Sequence, residues 1–115
     1  MGKSIFIVSN TEHDVPVIIE QLKEYNVMHI KSSVESLDKI EKESPDLVII
    51  NLKNDDISGF ELCRLIKNTY KLPIITFTND NKISNMIRSQ QEGADACLIV
   101  PFKENDLKNT VEKLL

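Results

Sequence analysis

The chain has 115 residues, a formal net charge of −4, and 41% hydrophobic and 28% charged residues. That length suits one domain whose core can form without disulfide or metal staples. The acidic balance, an aromatic content of 5% and the lack of Trp exclude a basic stripe with stacking aromatics, so this domain is not expected to bind nucleic acid.

Short apolar runs alternate with amphipathic stretches along the chain. Residues 5–8, Ile-Phe-Ile-Val, read as a buried strand. Residues 14–25 follow with Val15, Ile18, Ile19 and Leu22 at helical spacing, and Pro16 fits the first turn, where a missing N–H costs little. Residues 27–30 form a weaker strand. Ser32 and Glu35 have the spacing of a capping box for a helix over 33–43, with Val34, Leu37 and Ile40 facing inward. After Pro45-Asp46 comes the most apolar strand, 47–50, and then a polar loop from Asn51 to Ser58. Ser58 and Glu61 repeat the capping spacing and open a helix from Gly59 to about Asn68. Pro73 leads into a strand over 74–78, followed by a helix near 82–92 that Gly93 ends. The last strand, 97–100, stops at Pro101, and a final helix over 104–114 buries Leu107, Val111 and Leu114.

Five strands thus alternate with five helices. The strands are continuous apolar runs, the pattern of a parallel sheet covered on both faces. The fold expected is a doubly wound α/β sheet in one domain over 1–115, with right-handed crossovers and no internal repeat. The N-terminal Met1-Gly2-Lys3-Ser4 leads straight into the first strand without the pattern of a signal peptide. No apolar run approaches membrane-spanning length. Cys63 and Cys97 are too few and too far apart for a zinc motif, and they read as reduced thiols of a cytoplasmic protein.

In an open parallel sheet, ligands bind beyond the carboxyl ends of the strands. The residues there are Ser9, Asn10 and Thr11 after the first strand, Asn51 after the third, Thr78 and Asn79 after the fourth, and Val100 and Pro101 after the fifth. Three glycines in the whole chain leave no room for a dinucleotide fingerprint or a P-loop. No nucleophile elbow is present. His13 and His29 are expected far from any Ser or Cys nucleophile, so no enzyme activity is expected.

Over nearly its full length the chain resembles the receiver domains of bacterial response regulators. The resemblance is carried by Pro45-Asp46-Leu47-Val48-Ile49-Ile50-Asn51-Leu52 with Gly59-Phe60-Glu61-Leu62-Cys63, by Pro73-Ile74-Ile75-Thr76-Phe77-Thr78, and by Gly93-Ala94-Asp95-Ala96 through Pro101-Phe102. It implies a flavodoxin-like, CheY-like fold with strand order 2-1-3-4-5. It also implies a phosphoacceptor Asp ending the third strand, an acidic pair that holds magnesium after the first, a Thr or Ser after the fourth and a Lys after the fifth. Position by position, the acidic pair is Ser9-Asn10, the acceptor is Asn51, the lysine is Val100 and the switch aromatic is Cys97; Thr78 keeps the family type. Asn54-Asp55 stands where the family often has Met-Pro.

These departures agree physically. An Asn amide is not an anionic nucleophile. Neutral oxygens suit magnesium poorly, and a half-buried lysine without acids nearby would be unpaired. The expected pocket is neutral, with Asn51 tying strand-end loops together and Thr78 bonding its own loop. Asp55 and Asp56 read as turn residues, with a displaced acceptor or metal pair as the alternative. Glu12 and Asp14 read as helix-start charges.

The function expected is a phosphorylation-independent pseudo-receiver, without bound magnesium, in two-component or phosphorelay signalling. The resemblance implies a protein partner, or a second copy, on the face formed by the fourth helix, fifth strand and fifth helix (about 82–115). That partner could be a histidine kinase, a transcription factor or an output domain, and the chain could stand alone or begin a longer regulator. The alternatives are an atypical phosphoacceptor and a small-ligand sensor using the neutral pocket.

Overall fold

The computed structural model describes residues 2–103 and 105–115. Its elements run β1 (Ser4–Val8), α1 (Val15–Gln21), β2 (Asn26–Ile30), α2 (Ser33–Glu43), β3 (Leu47–Asn51), α3 (Gly59–Tyr70), β4 (Ile74–Thr78), α4 (Ile83–Gln91), β5 (Ala96–Ile99) and α5 (Asp106–Leu114). All strand pairs are parallel and the sheet order is β2-β1-β3-β4-β5. This is the doubly wound, flavodoxin-like arrangement with strand order 2-1-3-4-5.

The sheet separates two apolar layers, because successive strand residues point to opposite faces. Ile5, Ile7, Leu47, Ile49, Ile75 and Phe77 pack beneath α1 and α5 against Val15, Ile18, Leu22, Leu107 and Val111. Phe6, Val8, Val48, Ile50 and Ile74 face the other way, against Ile40 of α2 and Leu62, Cys63 and Ile66 of α3. With both faces covered, the central strands cannot alternate apolar and polar residues, which accounts for the continuous runs in the sequence.

Local chemistry sets the ends of the helices. The Ser32 hydroxyl accepts from the Glu35 amide at 3.1 Å, and Ser58 accepts from Glu61 at 3.2 Å. At the end of α4, Gly93 takes φ +110°, its N–H donates to the Gln90 carbonyl, and the Ala94 N–H donates to Ser89. That is the double hydrogen bond of a Schellman cap.

Several expectations are corrected. The first helix ends at Gln21, short of the expected residue 25: the Leu22 N–H is shared between the carbonyls of Ile18 and Ile19, and the chain turns to enter the edge strand at Asn26. Ile19 lies partly exposed on its outer side, and Val34 does not face inward but is 57% exposed. The Ser32 cap fixes the phase of α2 so that Ser33, Ser36 and Ile40 turn to the sheet, with Leu37 partly buried beside them. Two small serines there let the helix approach closely, and Val34 rotates outward. The third helix runs two residues past Asn68. The last strand ends at Ile99, leaving Val100 just beyond it. Leu114 is only partly buried, and Glu104, where the last helix is expected to begin, lies outside the described residues.

The fourth helix is anchored differently from the others. Its buried residue is Ser89, whose hydroxyl lies 2.5 Å from that of Thr76 on β4. Its Arg88 guanidinium sits 4.2 Å from the centre of the Phe60 ring on α3, a cation–π contact. Its apolar side chains Ile83 and Ile87 are 71% and 51% exposed.

Both cysteines are free thiols, Cys63 buried and Cys97 half-buried. Burial pushes the Cys63 thiol up to about 12, which removes the reactive thiolate. A thiol reagent applied to the native protein should modify Cys97 first and Cys63 only on unfolding; equal rates would contradict this packing. Gly59 is a close-approach position: a Cβ there would lie 2.4 Å from the Leu52 Cα and 2.5 Å from the Asn51 carbonyl oxygen. Gly59→Ala should therefore destabilise the domain by about 2 kcal/mol in urea unfolding, within the range for overpacked cores. Gly2→Ala, whose nearest neighbour is 3.5 Å away, should have little effect.

Candidate functional site

The strand order brings the carboxyl ends of β1, β3 and β4 side by side, and a pocket of about 240 Å³ opens there. Thr11, His13, Asp14, Asn51, Lys53, Phe77, Thr78, Asn79 and Val100 line it. Of the strand-end residues singled out in the sequence, Thr11, Asn51, Thr78, Asn79 and Val100 line this pocket, with His13 and Asp14 beside them. Ser9 is fully buried beneath it, Asn10 is turned to one side, and Cys97 lies elsewhere, in a groove between α4 and α5 with Met86, Ile99 and Pro101.

Asn51 closes β3, and its carboxamide is satisfied at both ends. Nδ2 donates to the Ser9 hydroxyl at 3.1 Å, and Oδ1 accepts from the Lys53 N–H at 2.9 Å. Ser9 in turn donates its hydroxyl to the Thr11 carbonyl at 2.9 Å. This chain of bonds joins the first and third strand-end loops without any charge. Thr78 is 2% exposed; its hydroxyl accepts from the Asp80 N–H at 3.1 Å, so its own proton remains able to donate. Val100, past the end of β5, donates its N–H to the Thr78 carbonyl at 2.9 Å.

Asn10 joins a second polar cluster. Its N–H donates to Asn54 Oδ1 at 2.8 Å, its Nδ2 donates to the Lys31 carbonyl at 2.7 Å and to Asp56 at 3.1 Å, and its Oδ1 accepts from the Asp55 N–H. Asn54 is nearly buried and also donates to the Val8 carbonyl at 3.2 Å. Asp56 accepts from the Ser32 hydroxyl at 3.0 Å and the Val34 N–H at 3.2 Å. Although Asp56 is exposed, slight desolvation pushes its carboxyl up, but hydrogen bonds from Asn10, Val34, Ile57 and Ser32 outweigh this and hold it well below the usual carboxylate range. Asp56 thereby ties the β1–α1 and β3–α3 loops to the start of α2, with its oxygens already committed. Among the described residues, no three His, Cys, Asp or Glu side chains gather as metal ligands.

Two expectations change. His29 is not remote from Ser9: β2 pairs with β1, and His29 Nε2 lies 3.0 Å from the Ser9 carbonyl oxygen. A carbonyl accepts, so Nε2 carries the proton, and the contact is to the backbone instead of the serine hydroxyl. The pocket is also less neutral than expected. Lys53 reaches across it, donating to Asn79 Oδ1 at 2.7 Å, and His13 and Asp14 stand on its rim, 3.8 Å apart. The roles of Lys53, Asn54, Asp56 and Asn79 are not visible as a motif. The available signal is the density of Asn and Asp between residues 51 and 56 and at the other strand ends.

Asp56 is expected to add a modest acid sensitivity to the fold, reduced by its solvent exposure. Its depressed folded-state pKa contributes stability above the ordinary carboxylate pKa, and that contribution is lost as pH falls through the folded value. Because the carboxylate is exposed and screened, Asp56→Asn should cost less than about 1 kcal/mol at neutral pH, below the scale of a buried hydrogen bond. The gap from the unsubstituted protein should narrow in denaturant titrations run at progressively lower pH; a gap that widened on acidification would refute the assignment.

Comparison with known proteins places this geometry. The family model described as "Response regulator receiver domain" matches residues 5–112. A Porphyridium aerugineum protein, "Probable transcriptional regulator ycf27", is 25% identical over 118 residues, covering 100% of this chain and 49% of the relative. The "Heme response regulator HssR" of Staphylococcus epidermidis is 30% identical over 80 residues, covering 70% of this chain and 36% of the relative. The chain therefore spans about half or less of the curated relatives it matches. The BeF3-activated N-terminal receiver domain of Klebsiella pneumoniae RstA superposes with a TM-score of 0.91 at 21% identity, covering 97% of each chain, a likeness of fold. The matched family model, running from β1 into α5, shows that the chain belongs to the response regulator receiver domain family.

Proposed function

We propose that this receiver works without phosphorylation, as a protein-interaction or regulatory module of two-component signalling. The observation that carries the reading is the state of Asn51. The side chain in the acceptor position is an amide, and both its ends are consumed in holding Ser9 and the Lys53 backbone. Phosphoryl transfer would need an anionic oxygen there, with cations to spread the charge of the transferred group. Ser9 and Asn10 supply neutral oxygens already engaged in hydrogen bonds, and Val100 supplies an alkyl group where the family has an ammonium. Asp55 and Asp56 are the acids that could have served as a displaced acceptor or metal pair; neither lines the pocket, and the hydrogen-bond donors around Asp56 favour a structural role. The reading includes no magnesium binding and no autonomous catalysis.

The contact surface in this proposal is the α4–β5–α5 face. Ile83 and Ile87 stand one helical turn apart on α4 and are largely exposed, beside the groove that contains Met86 and Cys97. Its occupant is a protein partner such as a kinase or output domain, or a second copy of the chain. No helix among the described residues is long and apolar enough to cross a membrane, which suits a cytoplasmic setting, and the domain itself is not proposed to bind nucleic acid.

Incubation with acetyl phosphate and magnesium, beside an ordinary receiver as control, should give no gain in intact mass. Asn51→Asp alone should fold and still remain unphosphorylated, because the metal-binding acids and the fifth-strand lysine are absent; phosphorylation at the control's rate would refute the reading. Ile83→Glu combined with Ile87→Glu should shift stability by less than about 1 kcal/mol, as expected of exposed sites. The same pair should abolish binding of the partner or self-association, measured by sedimentation or by titration with the partner. Undiminished binding would move the contact elsewhere.

A further inference from the structure

The pocket has lost the cation expected after β5 but holds another one. Lys53, on the loop after β3, lines it, and its ammonium is fixed by Asn79 Oδ1 at 2.7 Å, between the ends of β3 and β4. An ammonium has three N–H donors, and the Asn79 bond uses one. The nearly buried Thr78 hydroxyl accepts from Asp80, so its O–H is free to donate into the same space. The Asn79 amide uses its oxygen on Lys53 and has its NH2 to offer. Val100 and Phe77 supply an apolar wall, which limits competing hydration.

From this arrangement we propose that the pocket is a metal-free site for a small oxyanion of the phosphate or sulfate class, with Lys53 as its cation and Thr78 and Asn79 as hydrogen-bond donors. The proposal deepens the reading of a pocket that is no longer phosphorylated: it turns a covalent acceptor into a reversible anion site. Asn79 acts as a positioning residue, holding a flexible ammonium over the pocket before the ligand arrives.

The nearby acids define the opposition. Asp14, on the rim 3.8 Å from His13, repels an anion. Asp80 is engaged by Lys82, through the Lys82 N–H at 3.1 Å and its ammonium at 3.9 Å. Asp56 is committed to donors of the α2 side. Asp14 is therefore the acid that lines the pocket opposite Lys53, while Asp55, two residues along the same loop, lies outside the lining. Asp14→Asn removes that acid at a left-handed position, φ 71°, which Asn tolerates.

The test is a titration of the full chain with sodium sulfate and with sodium phosphate, followed by amide NMR and referenced to sodium chloride at equal ionic strength. Saturable shifts are expected at Lys53, Thr78 and Asn79. Lys53→Ala should weaken binding by about tenfold, equivalent to about 1.4 kcal/mol, Lys53→Arg should retain it, and Asp14→Asn should tighten it a few-fold. No saturable shift beyond chloride, or binding unchanged in Lys53→Ala, would overturn the proposal. Sulfate cannot be transferred to a carboxylate or amide under these conditions. A stable mass gain from acetyl phosphate would thus overturn the reading of an unphosphorylated receiver, whereas failure of sulfate to bind would overturn the anion site.

Discussion

Parallel pairing of β1 with β3 and of β3 with β4 forces three polar loops to begin within a few ångströms of one another. Each must find hydrogen-bond partners at the edge of a core that excludes water. In this chain the solution is a network of amides and hydroxyls. Asn51 joins Ser9 to its own loop, Ser9 donates to the Thr11 carbonyl, and Asn10 and Asn54 lock the first loop to the third. The cost of leaving a buried polar group unpaired exceeds the net gain from making the bond. The members of such a network therefore constrain one another, and replacing one requires adjustment of the rest.

In the proposed reading, the neutral residues Ser9, Asn10, Asn51 and Val100 form one physically coupled set. A carboxylate at position 9 or 10 would need a cation, and a lysine at position 100 would need a carboxylate. Remove the charges together and the strand ends can be satisfied by neutral groups. Asp56, one of two acids in the third loop, illustrates the alternative: it stays ionised because Asn10, Ser32 and two backbone N–H groups surround it.

The fold was legible because its causes are local. Apolar runs of four or five residues, two Ser-x-x-Glu caps and a terminal glycine fix strands and helices before any tertiary contact is known. Where periodicity failed, tertiary packing decided. Val34 has the right spacing for burial, but the serines of α2 bring that helix in on another face. The site divided the same way. Ser9, Asn51, Thr78, Asn79 and Val100 could be placed because each adjoins a strand end. The roles of Lys53 and Asp56 could not be read, because their importance comes from side chains reaching across loops separated by 22 to 46 residues. No periodicity or motif records such a reach.

The shallow seat of α4 has a consequence for how this domain can vary. The other four helices insert two or more side chains into the protein, so changes in them are felt in the core. α4 commits Ser89, with Arg88 resting on Phe60. Most of its surface can therefore be rewritten at little thermodynamic cost, and its outward sequence is free to diverge while the sheet beneath stays the same. Of the five helices, it is the one that selection could reshape most rapidly without endangering the fold.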